Sequence, residues 1–235
     1  MGKLAGVLAG PPAADASRQA SHKEEVMLQD KSLWYYGAVY HRMIDGKLEE
    51  ARQTIVDLVP EGASVLDIGC GTGELCLELC RHRHCRVIGL DLSRKMIRFA
   101  EEQNSCPDVT FVHGDATDLS IYPDHSFDFA VMLVFIHELD AARQKQALSE
   151  ALRVANRLII CESVAPLPRN KGGFLIWLAE TLFGYEHRPH FKRFLAQGGI
   201  TGLLDTTGLY ARIEHSHVFW YGARQVVVVS RMEHD

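Results

Sequence analysis

The chain lacks any apolar run long enough to cross a bilayer, which takes roughly 18 or more residues in a row. Its most apolar stretch, Phe174 to Tyr185, is shorter and is interrupted by Glu180. Stable membrane insertion is not expected. Positive charge is not in excess either: 25 Lys and Arg against 30 Asp and Glu give 25 − 30 = −5. A global basic field for nucleic acid is therefore excluded. C-x-x-C pairs are absent. The six cysteines, at 70, 76, 80, 85, 106 and 161, do not read as a disulfide framework, which points to a reducing, cytoplasmic setting. The N-terminus has Lys3 and a short, glycine-containing apolar stretch, Leu4 to Ala9, before Pro11-Pro12, which makes a poor secretory signal. Position 6 is Gly, not the Ser or Thr that myristoylation needs. No internal repeat is visible.

What remains is a composition of 47% hydrophobic and 23% charged residues, sufficient for one globular domain with a sizeable core. Residues 1–28, rich in Ala, Gly, Pro and Ser, read as a mobile segment, and 29–235 as a single domain. An aromatic cluster, Trp34-Tyr35-Tyr36 with Tyr40, opens the ordered part. Leu48 to Leu58 has a helical apolar stripe and Pro60 ends it. Strands and helices then alternate: strand Ser64–Ile68, helix Glu74–Arg83, strand Arg86–Asp91, helix Arg94–Asn104, strand Val109–His113, strand Phe127–Val134, helix Ala141–Val154, strand Arg157–Glu162. Such βαβ units imply a doubly wound, mostly parallel sheet. Helices are expected over Phe174–Phe183 and Phe191–Leu204, within an insertion at about 165–205. Ala211–Phe219 and Gln225–Ser230 then read as an antiparallel hairpin closing the sheet.

The chemistry concentrates where the first strand ends. Val65-Leu66-Asp67-Ile68-Gly69-Cys70-Gly71-Thr72-Gly73-Glu74 is an apolar strand running into alternating glycines, and the second strand ends in Asp91. Glycines at this spacing let backbone approach a ligand closely. A carboxylate at the tip of the next strand can accept both hydroxyls of a ribose. A dinucleotide site wants its third glycine where this chain has Glu74. No Lys-Ser or Lys-Thr follows these glycines, so a P-loop is excluded. Asp67 would repel a pyrophosphate but suits a cationic amino-acid moiety.

This pattern closely resembles motif I of the class I S-adenosylmethionine (SAM) methyltransferases, and the resemblance covers about residues 34–230. It implies a Rossmann-like methyltransferase fold. It also implies that Asp67, Gly69, Cys70, Gly71 and Gly73 surround the methionine part of SAM and that Asp91 holds the ribose. Leu92 and Met96 would lie along the adenine, and Asp115 and Ala116 would meet the adenine edge. The strand around Met132 and Leu133 would complete the cofactor site, with His137 at the mouth where substrate enters. The branch resembled is that of ubiquinone and menaquinone biosynthesis enzymes and related small-molecule methyltransferases. Those quinone enzymes carry an Arg-Asn pair where this chain has Ile136-His137-Glu138.

Methyl transfer needs a general base only if the acceptor carries a proton. The candidates are His137, Tyr40 and His190. The insertion, with Phe174, Trp177, Leu182, Phe183 and Tyr185, reads as an apolar lid over a small apolar or aromatic acceptor. Cys76, Cys80 and Cys85 with His82 and His84 do not match a zinc signature, so no metal is expected. Two other classes stay open: a noncatalytic SAM-binding or partner-binding module, and a dinucleotide-dependent oxidoreductase, against which the early third glycine and the closing hairpin argue.

Overall fold

The computed structural model describes residues 48–182, 188–209 and 211–232. The N-terminal expectations, the mobile segment and the aromatic cluster with Tyr40, lie outside these residues, as do Phe183 and Tyr185. The elements, in chain order, are α1 (Glu49–Leu58), β1 (Ser64–Ile68), α2 (Glu74–Arg83), β2 (Arg86–Asp91), α3 (Arg94–Gln103), β3 (Val109–His113), β4 (Phe127–Leu133), a 3₁₀ turn (Ile136–Glu138), α4 (Ala141–Val154), β5 (Ala155–Ser163), α5 (Lys171–Leu182), α6 (Arg188–Ala196), α7 (Gly199–Thr207), β6 (Ala211–Phe219) and β7 (Arg224–Arg231).

The seven strands form one sheet in the order β3-β2-β1-β4-β5-β7-β6. The first five are parallel, and β7 runs antiparallel to both β5 and β6. Apolar runs on the central strands feed both faces, as a parallel sheet covered by helices requires. Leu66, Ile68, Leu158 and Ile160 pack with α4, α6 and α7 on one side. Their neighbours Val65, Ile159 and Cys161 pack with α1, α2 and α3 on the other. Ser93 caps α3, its Oγ accepting the Met96 N–H at 3.4 Å. Asp140 caps α4, accepting from Ala142 and Arg143 N–H groups at 2.8 and 3.0 Å.

Three sequence expectations change. The helix expected over Phe191–Leu204 is two helices, because Gly198 (φ 100°) and Gly199 (φ 66°) take left-handed backbone between them. The strand expected at Arg157–Glu162 extends to Ala155–Ser163, since its ends pair with β4 and β7. Finally, α5 does not bury its apolar side chains as a close-fitting lid would. Gly172, Gly173 and Ile176 face the body, whereas Trp177 is 51% and Leu182 61% exposed. The glycine pair explains this orientation: a Cβ on Gly173 would overlap the Pro168 carbonyl, and one on Gly172 would crowd Ala223 and Tyr221.

The chain changes direction between β1, which continues toward β2 and β3, and β4, which continues toward β5. The crevice outside the carboxyl ends of β1 and β4 is the switch point where open α/β sheets bind ligands.

Candidate active site

At that switch point Gly69, Gly71 and Gly73 all take positive φ (75°, 53° and 79°). The turn they make is fastened to β2, with Gly69 and Cys70 N–H donating to the Leu90 carbonyl at 2.8 and 3.0 Å. A Cβ at Gly69 would overlap the Phe135 ring and one at Gly73 the Phe111 ring, whereas Gly71 faces open space. Two glycines thus serve packing as well as conformation, and the middle one leaves room for a ligand.

Asp91, at the tip of β2, is tied on both oxygens. Gly71 N–H donates to Oδ2 at 2.9 Å and Ser93 N–H to Oδ1 at 2.8 Å. Each oxygen keeps a lone pair for a further donor. Asp67, at the end of β1, is buried and accepts from the Cys76 thiol at 3.2 Å. Burial raises its carboxyl to about 7; the Cys76 hydrogen bond opposes this and Asp91 adds to it. Burial likewise raises Asp91 to about 6, against the Ser93 and Gly71 hydrogen bonds and with the charge of Glu138. Two neighbouring carboxyls held above their ordinary range make a place where a cation is stabilised.

Leu48, Arg52, Thr72, Glu74 and Leu133 line the narrow cleft beside Asp67 and the glycines. Arg52 is held there by a 2.7 Å ion pair with Glu78. Neither Leu48 nor Arg52 was marked by a motif; the helix preceding β1 was legible only as an apolar stripe. On the far side of Asp91, Leu92 is half-buried and Met96 buried. Asp115 accepts the Thr117 N–H at 2.9 Å, a local turn bond, and lies 3.4 Å from Arg143. Ala116, beside it, is buried.

The third wall is the turn after β4. Met132 is fully buried in the sheet, and Leu133 reaches the cleft. His137, expected at the mouth where substrate enters, is only 2% exposed because Glu162 and the α6 aromatics enclose it. Its Nδ1 sits 2.8 and 3.0 Å from the two Glu162 oxygens. His190 Nδ1 meets the Glu138 carbonyl at 2.7 Å, so the same turn is held from α6. Sequence reasoning missed Glu162, although a carboxylate ending the apolar run of β5 was a visible signal. A larger hollow of about 610 Å³ opens at the opposite end of the strands, between Pro60, Asp128, Arg157 and Glu214. It is far from the glycine turn, and a 2.9 Å Arg157–Glu214 ion pair lies at it.

The six cysteines are free and buried, with Cys76 and Cys80 among the side chains packed under the sheet. Among the described residues no cluster of three or more His, Cys, Asp or Glu side chains could hold a metal ion. Among them, too, no helix is long and apolar enough to cross a membrane.

Residues 65–157 match the family model described as a methyltransferase domain. A demethylmenaquinone methyltransferase of Porphyromonas gingivalis is 32% identical over 175 residues, spanning 69% of this chain and 68% of that protein. The chain belongs to the class I SAM-dependent methyltransferases. Within that family it falls in the branch of the menaquinone-type enzymes that methylate small molecules. Two solved structures share the methyltransferase's fold. A protein of Pyrococcus horikoshii has a TM-score of 0.62 at 21% identity, covering 82% of this chain and 98% of its own. A SAM-dependent methyltransferase of Aquifex aeolicus has a TM-score of 0.54 at 20% identity, covering 89% and 96%. The methyltransferase's glycine turn and Asp91 lie within the matched segment; α5 and α6 lie beyond it.

Proposed function

We propose that this methyltransferase binds SAM across the ends of β1 and β2 and moves its methyl group to a small apolar or aromatic acceptor, such as a hydroxylated quinol ring. The observation that carries this reading is the cradle itself: an open Gly71 between a buried Asp67 and an Asp91 whose orientation is fixed by two backbone N–H groups. The residues present fit the cofactor. Asp67 and Asp91 supply negative charge where a cationic ligand would lie, and Asp91 retains lone pairs for the ribose hydroxyls. Leu92, Met96, Asp115 and Ala116 form the adenine side, and Gly69, Cys70, Gly73, Met132 and Leu133 shape the methionine side.

When bound, SAM supplies a methyl group already activated on a sulfonium, so the protein's contribution is mainly positioning and exclusion of water. The turn after β4, whose Phe135 ring packs against Gly69, would border the bound cofactor, and the demethylmenaquinone methyltransferase relative favours an aromatic acceptor. An acceptor that keeps its proton needs a base. His190 is the candidate among the described residues: its Nδ1 donates to the Glu138 carbonyl, which leaves Nε2 with the lone pair. Tyr40 is the second candidate.

Incubating the purified protein with SAM and reduced 1,4-naphthoquinone, and following S-adenosylhomocysteine by mass spectrometry, tests the reading. Product above the protein-free control supports it. Cofactor binding without turnover across phenols, quinols and amines would favour a noncatalytic SAM-binding module instead.

A further inference from the structure

The most unusual feature outside the cofactor cradle is a buried histidine between two carboxylates from different elements. His137 Nδ1 lies 2.8 Å from Glu162 Oε1 on β5, and its Nε2 lies 3.7 Å from Glu180 Oε1 on α5. Glu162 is fully buried, and its Oε2 also accepts the Ser163 N–H at 3.2 Å. The edges of the ring are closed by α6, with Phe191 at 5.1 Å and Phe194 at 6.3 Å between centroids. Glu180 is the one acidic residue of a mostly apolar helix that begins with Lys171, and it points inward while Phe174, Trp177 and Leu182 point outward. That arrangement inverts ordinary helix amphipathicity. Burying the one acidic side chain of α5 is favourable only if a partner waits for it.

We propose that His137 is a positioning residue: it clasps α5, through Glu180, to β5, through Glu162, and so fixes the wall of the acceptor site. The proposal rests on that site lying against the turn after β4. A carboxylate at each nitrogen, one hydrogen-bonded and one at ion-pair distance, favours the imidazolium, which has no lone pair with which to take a proton from an acceptor. Around it stand Glu162 from β5, Glu180 from α5 and Glu138 on the turn itself. From α6 come His190 and Arg193, which hold the Glu138 and Leu139 carbonyls at 2.7 and 3.0 Å. Gln144 on α4 holds the Ile136 carbonyl at 3.1 Å. Burial opposes charge on His137, but Glu162, then Glu180 and Glu138, outweigh it and raise its value to about 9. The carboxylates on both sides thus favour the charged ring that joins the two elements.

Three measurements on the full chain test this, using Glu180→Gln, His137→Gln and the double variant. The first is the ¹⁵N shift of the His137 ring. It should report imidazolium at pH 7.5 in the wild type, with the midpoint falling by about one unit in Glu180→Gln, the effect of one close charge. The second is hydrogen exchange. Amides of 171–182 should exchange about tenfold faster in either single variant and no faster in the double, as expected for two partners of one contact. Exchange at 64–103 and the S-adenosylhomocysteine Kd should stay unchanged, which separates this proposal from the cofactor reading. The third is turnover of reduced 1,4-naphthoquinone, where KM should rise about tenfold with kcat nearly constant. A neutral His137 ring at pH 7.5, or a large kcat loss in His137→Gln at constant KM, would overturn the proposal. So would a lowered Tm in Glu180→Gln with unaltered exchange at 171–182, which marks a contact of stability alone. Should the naphthoquinol not be turned over, the ring shift and exchange still decide it.

Discussion

At the scale of residues, the two acids of the proposed cofactor site impose opposite demands on the empty and the loaded protein. Unfolded, each titrates near pH 3.9; folded, Asp67 sits at about 7 and Asp91 at about 6. The folded protein thus binds their protons more tightly than the unfolded chain does. Their contribution to stability is full below about pH 4 and is lost as the pH rises through 6 and then 7. Binding of a cationic cofactor works the other way, because it needs both acids ionised. Calorimetric affinity for SAM should therefore rise from pH 5.5 to pH 8 while these two groups lower the stability of the unliganded protein. An affinity flat across that range would remove Asp67 and Asp91 from the cation's surroundings. Asp91→Ala should weaken SAM binding by about 1.5–3 kcal/mol, the range for hydrogen bonds to a charged group. A folded variant with the wild-type Kd would show that Asp91 does not hold the cofactor. Gly73→Ala should be harsher: its φ of 79° is left-handed and its new methyl would overlap Phe111, so the turn must shift. Loss of SAM binding in a protein that still melts cooperatively is expected. Asp67, the glycines and Asp91 were readable in the chain because all belong to one strand–turn–helix–strand unit. The pairing of Glu162 with His137 was not, because the two meet only when β5 pairs beside β4, 25 residues further along.

At the scale of elements, β1, α2, β2 and α4 begin and end where the sequence places them, since each has local punctuation: the glycine turn, Asp91, and the Asp140 cap. The helix after α5 was misread as continuous because apolar spacing carries straight through Gly198 and Gly199, and only their backbone angles divide it. The orientation of α5 was beyond periodicity altogether. An almost uniformly apolar helix presents no preferred face, so contact geometry at Gly172 and Gly173 decides which side turns inward. Trp177 stacks on Phe174 at 5.9 Å and is half exposed, so Trp177→Ala should change stability by no more than about 0.5 kcal/mol, as for other surface sites. It should also leave SAM affinity untouched. If α5 bounds the acceptor site, KM for reduced 1,4-naphthoquinone should rise. An unchanged KM and kcat would detach the outer face of α5 from catalysis.

At the scale of the whole molecule, the alternating βαβ pattern and the closing hairpin were enough to anticipate a doubly wound sheet, because parallel strands need crossover helices and a five-residue connection permits only antiparallel pairing. The acceptor was not legible in the same way. The site proposed for it draws on the turn after β4, on α5 and on α6, elements remote in sequence whose side chains carry no shared spacing. Titration calorimetry with S-adenosylhomocysteine decides whether the crevice at β1 and β2 is a SAM site. One binding event per chain is expected in the wild type, with severe weakening in Asp91→Ala with the fold intact, and no heat with NAD. Well-folded wild-type protein that binds NAD and gives no S-adenosylhomocysteine isotherm would contradict it.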